Sequence, residues 1–267
     1  MTQLLPMPPT EMPEYMSARI KQCPPSGSRI VPGSTPVVAF GDVRQAKVAT
    51  LGWNPSKLEF LDGSGRLLDG SERRLETDAS LKAKETPGNS ASAVSEVFEG
   101  CNHYFQGSPY RRWFDVLEKV LKHVGASYYD GSACHLDLVQ WATDPVWGKL
   151  ESDEKEALLK SDTPFLCQQL AQEGIRLLLL NGAGIMRAYD SLFGSHLRKV
   201  ELLDGGRIQM FAVQASSKLM VIGWNINLQS SFGVSNVEIT AIGRRVAQLV
   251  NYNGGNLHAP SLYSNES

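Results

Sequence analysis

The chain has 267 residues, 42% of them hydrophobic and 20% charged, with a formal net charge of −2. That is the profile of a globular protein with material for one sizeable core and some appendages. It excludes a global basic field, so any contact with a polyanion has to come from local patches and backbone amides. Cys23, Cys101, Cys134 and Cys167 are widely separated, with no C-x-x-C pair and no paired histidine spacing, and are expected to be reduced thiols rather than ligands of a metal or cofactor. The first ten residues contain prolines and lack the apolar stretch of a secretory signal. The longest apolar run, Leu177 to Leu180, is too short to span a bilayer. A cytoplasmic protein is expected, away from membranes.

Along the chain, residues 1–36 come first and carry Pro6, Pro8, Pro9, Pro13, Pro24, Pro25, Pro32 and Pro36. This density prevents a long helix and reads as an extended arm, laid over a core or left loose. The main domain is expected over 37–250, and a flexible Asn-, Gly- and Ser-rich tail over 251–267. Within the domain, residues 47–53, 133–139, 175–180 and 219–224 are short, continuous apolar runs, as expected of strands covered on both faces. Between and after them lie helical patterns. Trp113, Phe114, Leu117, Val120, Leu121 and Val124 recur at three- and four-residue steps before Gly125. Thr163-Pro164 reads as an N-cap with proline at the first helical position, opening a helix over 165–173. A last helix is expected over 237–250. Strands alternating with helices predict an α/β fold, a three-layer α/β/α sandwich around a central, mostly parallel four-stranded sheet. Ligands in such folds bind at the carboxyl ends of the strands.

The residues that follow each strand therefore carry the chemistry. After the first comes Leu51-Gly52-Trp53-Asn54-Pro55-Ser56, with Phe60 six residues beyond Asn54. Gly52 permits a sharp exit and Pro55 stiffens the loop, which on local grounds alone is an ordinary turn. After the third strand, Asn181-Gly182-Ala183-Gly184-Ile185-Met186-Arg187 leads into a helix whose backbone amides can meet a phosphate. Arg187 occupies the place where a dinucleotide fingerprint needs a small residue. After the last strand comes Gly223-Trp224-Asn225-Ile226-Asn227-Leu228-Gln229-Ser230-Ser231. Arg73-Arg74, Arg111-Arg112 and Arg244-Arg245 are basic pairs that offer a local positive field or simply a solvated surface. Trp141 reads as core, and Trp147 as core or pocket wall.

A strand ending in G-x-N-P, followed late in the chain by a second polar loop after the last strand, resembles the uracil-DNA glycosylase superfamily. The Asn in the first motif is similar to its mismatch-specific and single-strand-selective branches. The resemblance covers roughly residues 36–250, with 61–110 unmatched. It implies a monofunctional DNA glycosylase with no metal and no cofactor, which hydrolyses the N-glycosidic bond of a flipped pyrimidine and leaves an abasic site. DNA, double- or single-stranded, is the implied partner; the protein is expected to be a monomer with no obligatory protein partner. By the resemblance Asn54 orients the attacking water, while Trp53 and Phe60 lie against the base. Asn225 or Asn227 contacts the base in place of the family's histidine, and Leu228 or Gln229 enters the DNA stack as a wedge. Pro55, Ser56, Arg73, Arg74, Gly184, Arg187, Ser230 and Ser231 meet the DNA backbone. The residue types suit the reaction, because an oxocarbenium-like sugar needs a placed water and a stabilised leaving base.

The family reads its base with a residue at the end of strand two, commonly Asn. Here Asp137 falls in that slot. An ionised carboxylate only accepts hydrogen bonds. It suits the exocyclic amine of cytosine and leaves uracil O4 unpaired. Ordinary cytosine belongs to the host genome, so the expected substrate is a modified cytosine, such as the hydroxymethyl- or glucosyl-hydroxymethylcytosine of phage DNA, and the expected role antiviral defence. The alternatives are a uracil-DNA glycosylase of base-excision repair and a non-catalytic nucleic-acid- or nucleotide-binding module.

Overall fold

The computed structural model describes residues 12–84, 90–203, 206–229 and 233–252. The four apolar runs form strands: β1 (Val48–Gly52), β2 (Ala133–Asp137), β3 (Leu177–Asn181) and, after two further strands, β6 (Met220–Trp224). Every residue of β2, β3 and β6 is buried. Since successive side chains point to opposite faces, both faces of these strands are covered. The four leucines of β3 alone contribute about 1.5–3 kcal/mol each by leaving water.

The sheet is larger than the sequence pattern indicates. It has six strands in the order β2-β1-β3-β6-β5-β4 and is mixed, not purely parallel. The β2-β1-β3-β6 part is parallel; β4 (Arg198–Leu203) and β5 (Ile208–Gln214) form a hairpin that joins β6 antiparallel. In β5 only Ile208 and Met210 are buried, and β4 reads Arg-Lys-Val-Glu-Leu-Leu. Charge and a bulge between Lys199 and Glu201 blunt this open edge. At the opposite edge, Phe40 and His135 exchange main-chain hydrogen bonds, so residues 37–40 cover β2.

Among the described residues there are seven α-helices: α1 (Glu14–Lys21), α2 (Asp78–Ala83), α3 (Ala91–Asn102), α4 (Arg111–Leu121), α5 (Ser152–Gln172), α6 (Ala183–Phe193) and α7 (Asn236–Tyr252). On α4 the predicted stripe is buried at Phe114, Leu117, Val120 and Leu121, and Gly125 with φ of 68° closes the turn that follows. The helix expected to open at Thr163 is instead part of α5, which runs through Pro164 from a reciprocal capping box between Glu151 and Glu154. Burial of Leu158, Phe165 and Leu166 across the proline offsets the lost hydrogen bond. In the Pro-rich arm, Pro13 precedes the two turns of α1, whose Met16 enters the core and whose Arg19 is buried against Asp162 of α5. Among the described residues no helix is long and apolar enough to cross a membrane, and no group of three or more His, Cys, Asp or Glu is placed to hold a metal ion.

Strand β1 lies between β2 on one side and β3 on the other. The chain reaches the two flanks in turn, so the connections diverge beyond the carboxyl ends of β1 and β3, the switch point at which folds of this kind have their ligand crevice.

Candidate active site

The loops at that crevice are tied together by backbone. Leu138 and Val139 donate their amides to the carbonyls of Gly52 and Trp53, joining the exits of β2 and β1. Gly182 and Ala183 donate to the carbonyls of Trp224 and Asn225, joining the start of α6 to the exit of β6. Gly182 has φ of 105°, which an L side chain rarely adopts, and Asn227 packs directly over it. On its other flank Gly184 lies against Trp53, where a Cβ would be 3.4 Å from the indole ring. Asn54, Trp53, Asp137, Gly184 and Asn227 thus share one end of the sheet.

Asn54 is held in one orientation. Its Nδ2 donates to the Trp141 carbonyl at 3.0 Å and to Thr143 Oγ1 at 3.1 Å. Both amide protons are spent, so Oδ1 is left as the acceptor of the half-buried side chain. Trp53 stacks on Trp147 with ring centroids 5.4 Å apart and planes 20° from parallel, and both rings keep partial exposure. Trp141 is buried in a small apolar cluster with Val139, Leu150 and Leu158.

Asp137 ends β2 opposite Gly52 in register. A Cβ on residue 52 would lie 2.4 Å from Asp137 Oδ1 and 2.8 Å from His135 Nε2. Gly52 does not have a positive φ; its role is to make room for these two groups, not to sharpen the strand exit. His135 Nε2 is 3.4 Å from Asp137 Oδ1, within ion-pair range but not aligned as a hydrogen bond, and Oδ1 is buried with no donor among the described residues. Behind it, Thr50 Oγ1 lies 2.6 Å from both His135 Nδ1 and Tyr128 OH. The His135 ring is walled by Phe40 and Phe114.

A second buried carboxyl lies close by. Glu59 accepts a hydrogen bond from Tyr104 OH at 2.6 Å. Burial pushes its carboxyl up to about 7; the Tyr104 bond and Arg74 oppose the rise, and the negative charge of Asp137 adds to it. Sequence reasoning missed both Glu59 and His135. A histidine inside an otherwise apolar strand was the available signal for His135; Glu59, in a short polar turn, offered none.

Other expected site residues have different tasks. Phe60 is 0% exposed and presents no face to a base in this conformation. The Asn225 amide is occupied by the edge hairpin, accepting from the Gln209 amide and donating to the Arg207 carbonyl. Leu228 is buried, and Gln229 bridges Asn181 and the Trp113 carbonyl, so neither projects as a wedge. Pro55 is buried, and Ser56 accepts from the Leu58 amide to cap the turn at 57–59. Arg73 pairs with Glu76. Arg74 bonds the Leu58 carbonyl and lies over the Tyr110 ring, so it faces inward, toward Glu59. Arg187 is exposed on α6, as are Arg111 and Arg112 on α4; Arg244 is exposed on α7, while Arg245 pairs with Glu201 of β4. Ser230 and Ser231 lie outside the described residues.

No family model and no curated protein matches this chain.

Proposed function

We propose that the chain is a DNA glycosylase that releases a modified cytosine from a flipped nucleotide, with the four parallel strands serving as a uracil-DNA-glycosylase-like three-layer core. The observation that carries the reading is the anchored Asn54 amide. With both protons committed to Trp141 and Thr143, the carbonyl oxygen is a fixed acceptor at the mouth of the crevice. A water held there is oriented for attack on the sugar carbon, and a preset orientation is worth more than a strong base when the leaving group is already departing.

Asp137 supports the choice of base. It is a buried acceptor at the end of β2, and a cytosine amine supplies a donor for it. The half-buried Trp53 and Trp147 pair offers an aromatic surface beside Asn54, so the base contact expected of Trp53 and Phe60 falls to Trp53 with Trp147. A base leaving with partial negative charge needs a proton or a positive neighbour; Glu59, which burial keeps protonated up to about pH 7 and which is within electrostatic reach of Asp137, is one such source.

The buried Phe60 and Leu228 favour a second reading, a binding module of the same fold that does no chemistry. Mass spectrometry of free bases after incubation with DNA containing uracil, cytosine, hydroxymethylcytosine or glucosyl-hydroxymethylcytosine separates the two. Release of a 5-substituted cytosine is expected. In Asn54→Ala that release falls by about 10²–10⁴-fold while the protein remains folded at the assay temperature. Release of uracil alone would assign the repair role instead, and no release from any DNA would leave the binding module.

A further inference from the structure

We propose that Tyr128, Thr50 and His135 form a buried, proton-ordered chain that holds His135 as the Nε2–H tautomer, making it the positioning residue that presents Asp137 to the base. The part concerning the base rests on the glycosylase reading; the tautomer does not.

The chain follows from counting protons. Thr50 Oγ1 has one proton and two short contacts, to Tyr128 OH and to His135 Nδ1, both at 2.6 Å. Each contact needs one hydrogen. Burial raises the Tyr128 phenol well above its ordinary range, so it keeps its proton, and Thr50 is its one hydrogen-bond partner among the described residues. If Tyr128 donates to Thr50, then Thr50 donates to Nδ1, and the neutral ring carries its hydrogen on Nε2. Nε2 lies 3.4 Å from Asp137 Oδ1, which is otherwise without a donor, so its hydrogen puts the positive edge of the ring beside that oxygen without an aligned hydrogen bond. The opposite order fails twice. Nδ1–H would donate to Thr50, and Thr50 would then either donate to Tyr128, which strands the buried phenol proton, or accept from both, which strands its own. It would also turn the Nε2 lone pair toward a carboxylate oxygen. Unmet buried groups of this kind are what folded proteins avoid.

The consequence for recognition is directional. The Nε2–H end stands over Gly52 beside Oδ1, so this carboxylate oxygen has a fixed neighbour and the side chain a fixed rotamer. The other oxygen, Oδ2, is then the one turned to an incoming exocyclic amine. No proton has to be gained or lost for this; the chain only orients.

The test has one arm that needs no substrate. In the full-length protein labelled with ¹⁵N-histidine, long-range proton–nitrogen NMR reads the protonated ring nitrogen of His135 directly. A protonated Nε2 and an unprotonated Nδ1 are expected; a proton on Nδ1, alone or with Nε2, overturns the chain. The second arm reads selectivity. His135→Gln keeps an N–H near the Nε2 position and should hold the preference for 5-substituted cytosine over uracil within about threefold, whereas His135→Leu, of similar bulk, should lower it about tenfold or more, the usual scale for a lost polar contact at a specificity site. Equal losses in the two variants would refute positioning by the N–H. If no base is released by the wild type, the glycosylase reading fails and takes the base-presenting role with it, while the NMR arm still decides the tautomer.

Discussion

Glu59 and Asp137 show how burial at a single residue changes what a carboxyl can do. Glu59 is pushed up to about 7 from an ordinary value near 4.5, chiefly because it is buried. Between those two values the folded protein holds a proton that the unfolded chain has released. Stability is therefore whole below about pH 4.5 and declines as pH rises through about 7, by about 3 kcal/mol in all. Glu59→Gln keeps an acceptor for Tyr104 and has no charge to bury, so its urea midpoint should vary far less across that window and exceed that of the wild type at alkaline pH; parallel curves for the two proteins would mean that Glu59 titrates normally. On the proposed glycosylase reading, Asp137→Asn acts on the base instead. The amide supplies a donor for O4 and removes a charge that opposes the leaving group, so selectivity should move toward uracil by about 1–3 kcal/mol. Competition between uracil- and hydroxymethylcytosine-containing duplexes measures it, and unchanged selectivity would return Asp137 to a structural role.

At the scale of elements, the loop after β6 is organised by one side chain of β3. Asn181 Oδ1 accepts from the Trp224 indole and the Leu228 amide, and its Nδ2 donates to Asn227 Oδ1 and Gln229 Oε1. The amide group thus makes four bonds, and two of its partners are buried donors. Asn181→Ala strands both at about 1–3 kcal/mol each. The variant should lose about 3 kcal/mol by urea denaturation, and hydrogen exchange at 225–229 should speed up far more than in β1; a loss below about 0.5 kcal/mol would mean that the loop holds itself. This network also explains why two expected DNA-contacting residues were misplaced. Leu228 and Gln229 follow a polar Asn-rich stretch and read as exposed, but Asn181 folds them inward. The same limit applies to Pro164, whose local signal for a helix start is overridden by a better cap one dozen residues earlier and by a buried face that spans the proline.

For the molecule as a whole, α1 is bound into the domain through a buried charge. Arg19 Nη2 meets Asp162 Oδ2 at 2.7 Å, its Nε donates to Gln140 Oε1 at 3.0 Å, and the guanidinium lies over Trp141. Asp162 Oδ2 also accepts the Gln140 amide. The arm, α5 and the segment beyond β2 thereby meet at one point, next to the carbonyl of Trp141 that anchors Asn54. Removing one partner of such a pair leaves an uncompensated buried charge, so Arg19→Met should cost about 3–5 kcal/mol in urea denaturation, and Arg19→Met with Asp162→Leu should recover much of it. Equal stability of the single and double variants would show that the two charges do not depend on each other.

Sequence alone determined the α/β class, the four runs that form the parallel strands and the buried face of α4, because each is written in a run of neighbours whose spacing reports which side meets water. It also placed Asn54 and Asp137 at strand ends, where this topology gathers ligands. Only the tertiary structure decided the edge hairpin, the inward turn of Arg74 and Leu228, the depth of Phe60, and the meeting of Thr50, Tyr128 and His135. Thr50 and its two partners are separated by 78 and 85 positions in the chain. No local period encodes such a contact; it exists because parallel register sets Thr50 beside His135.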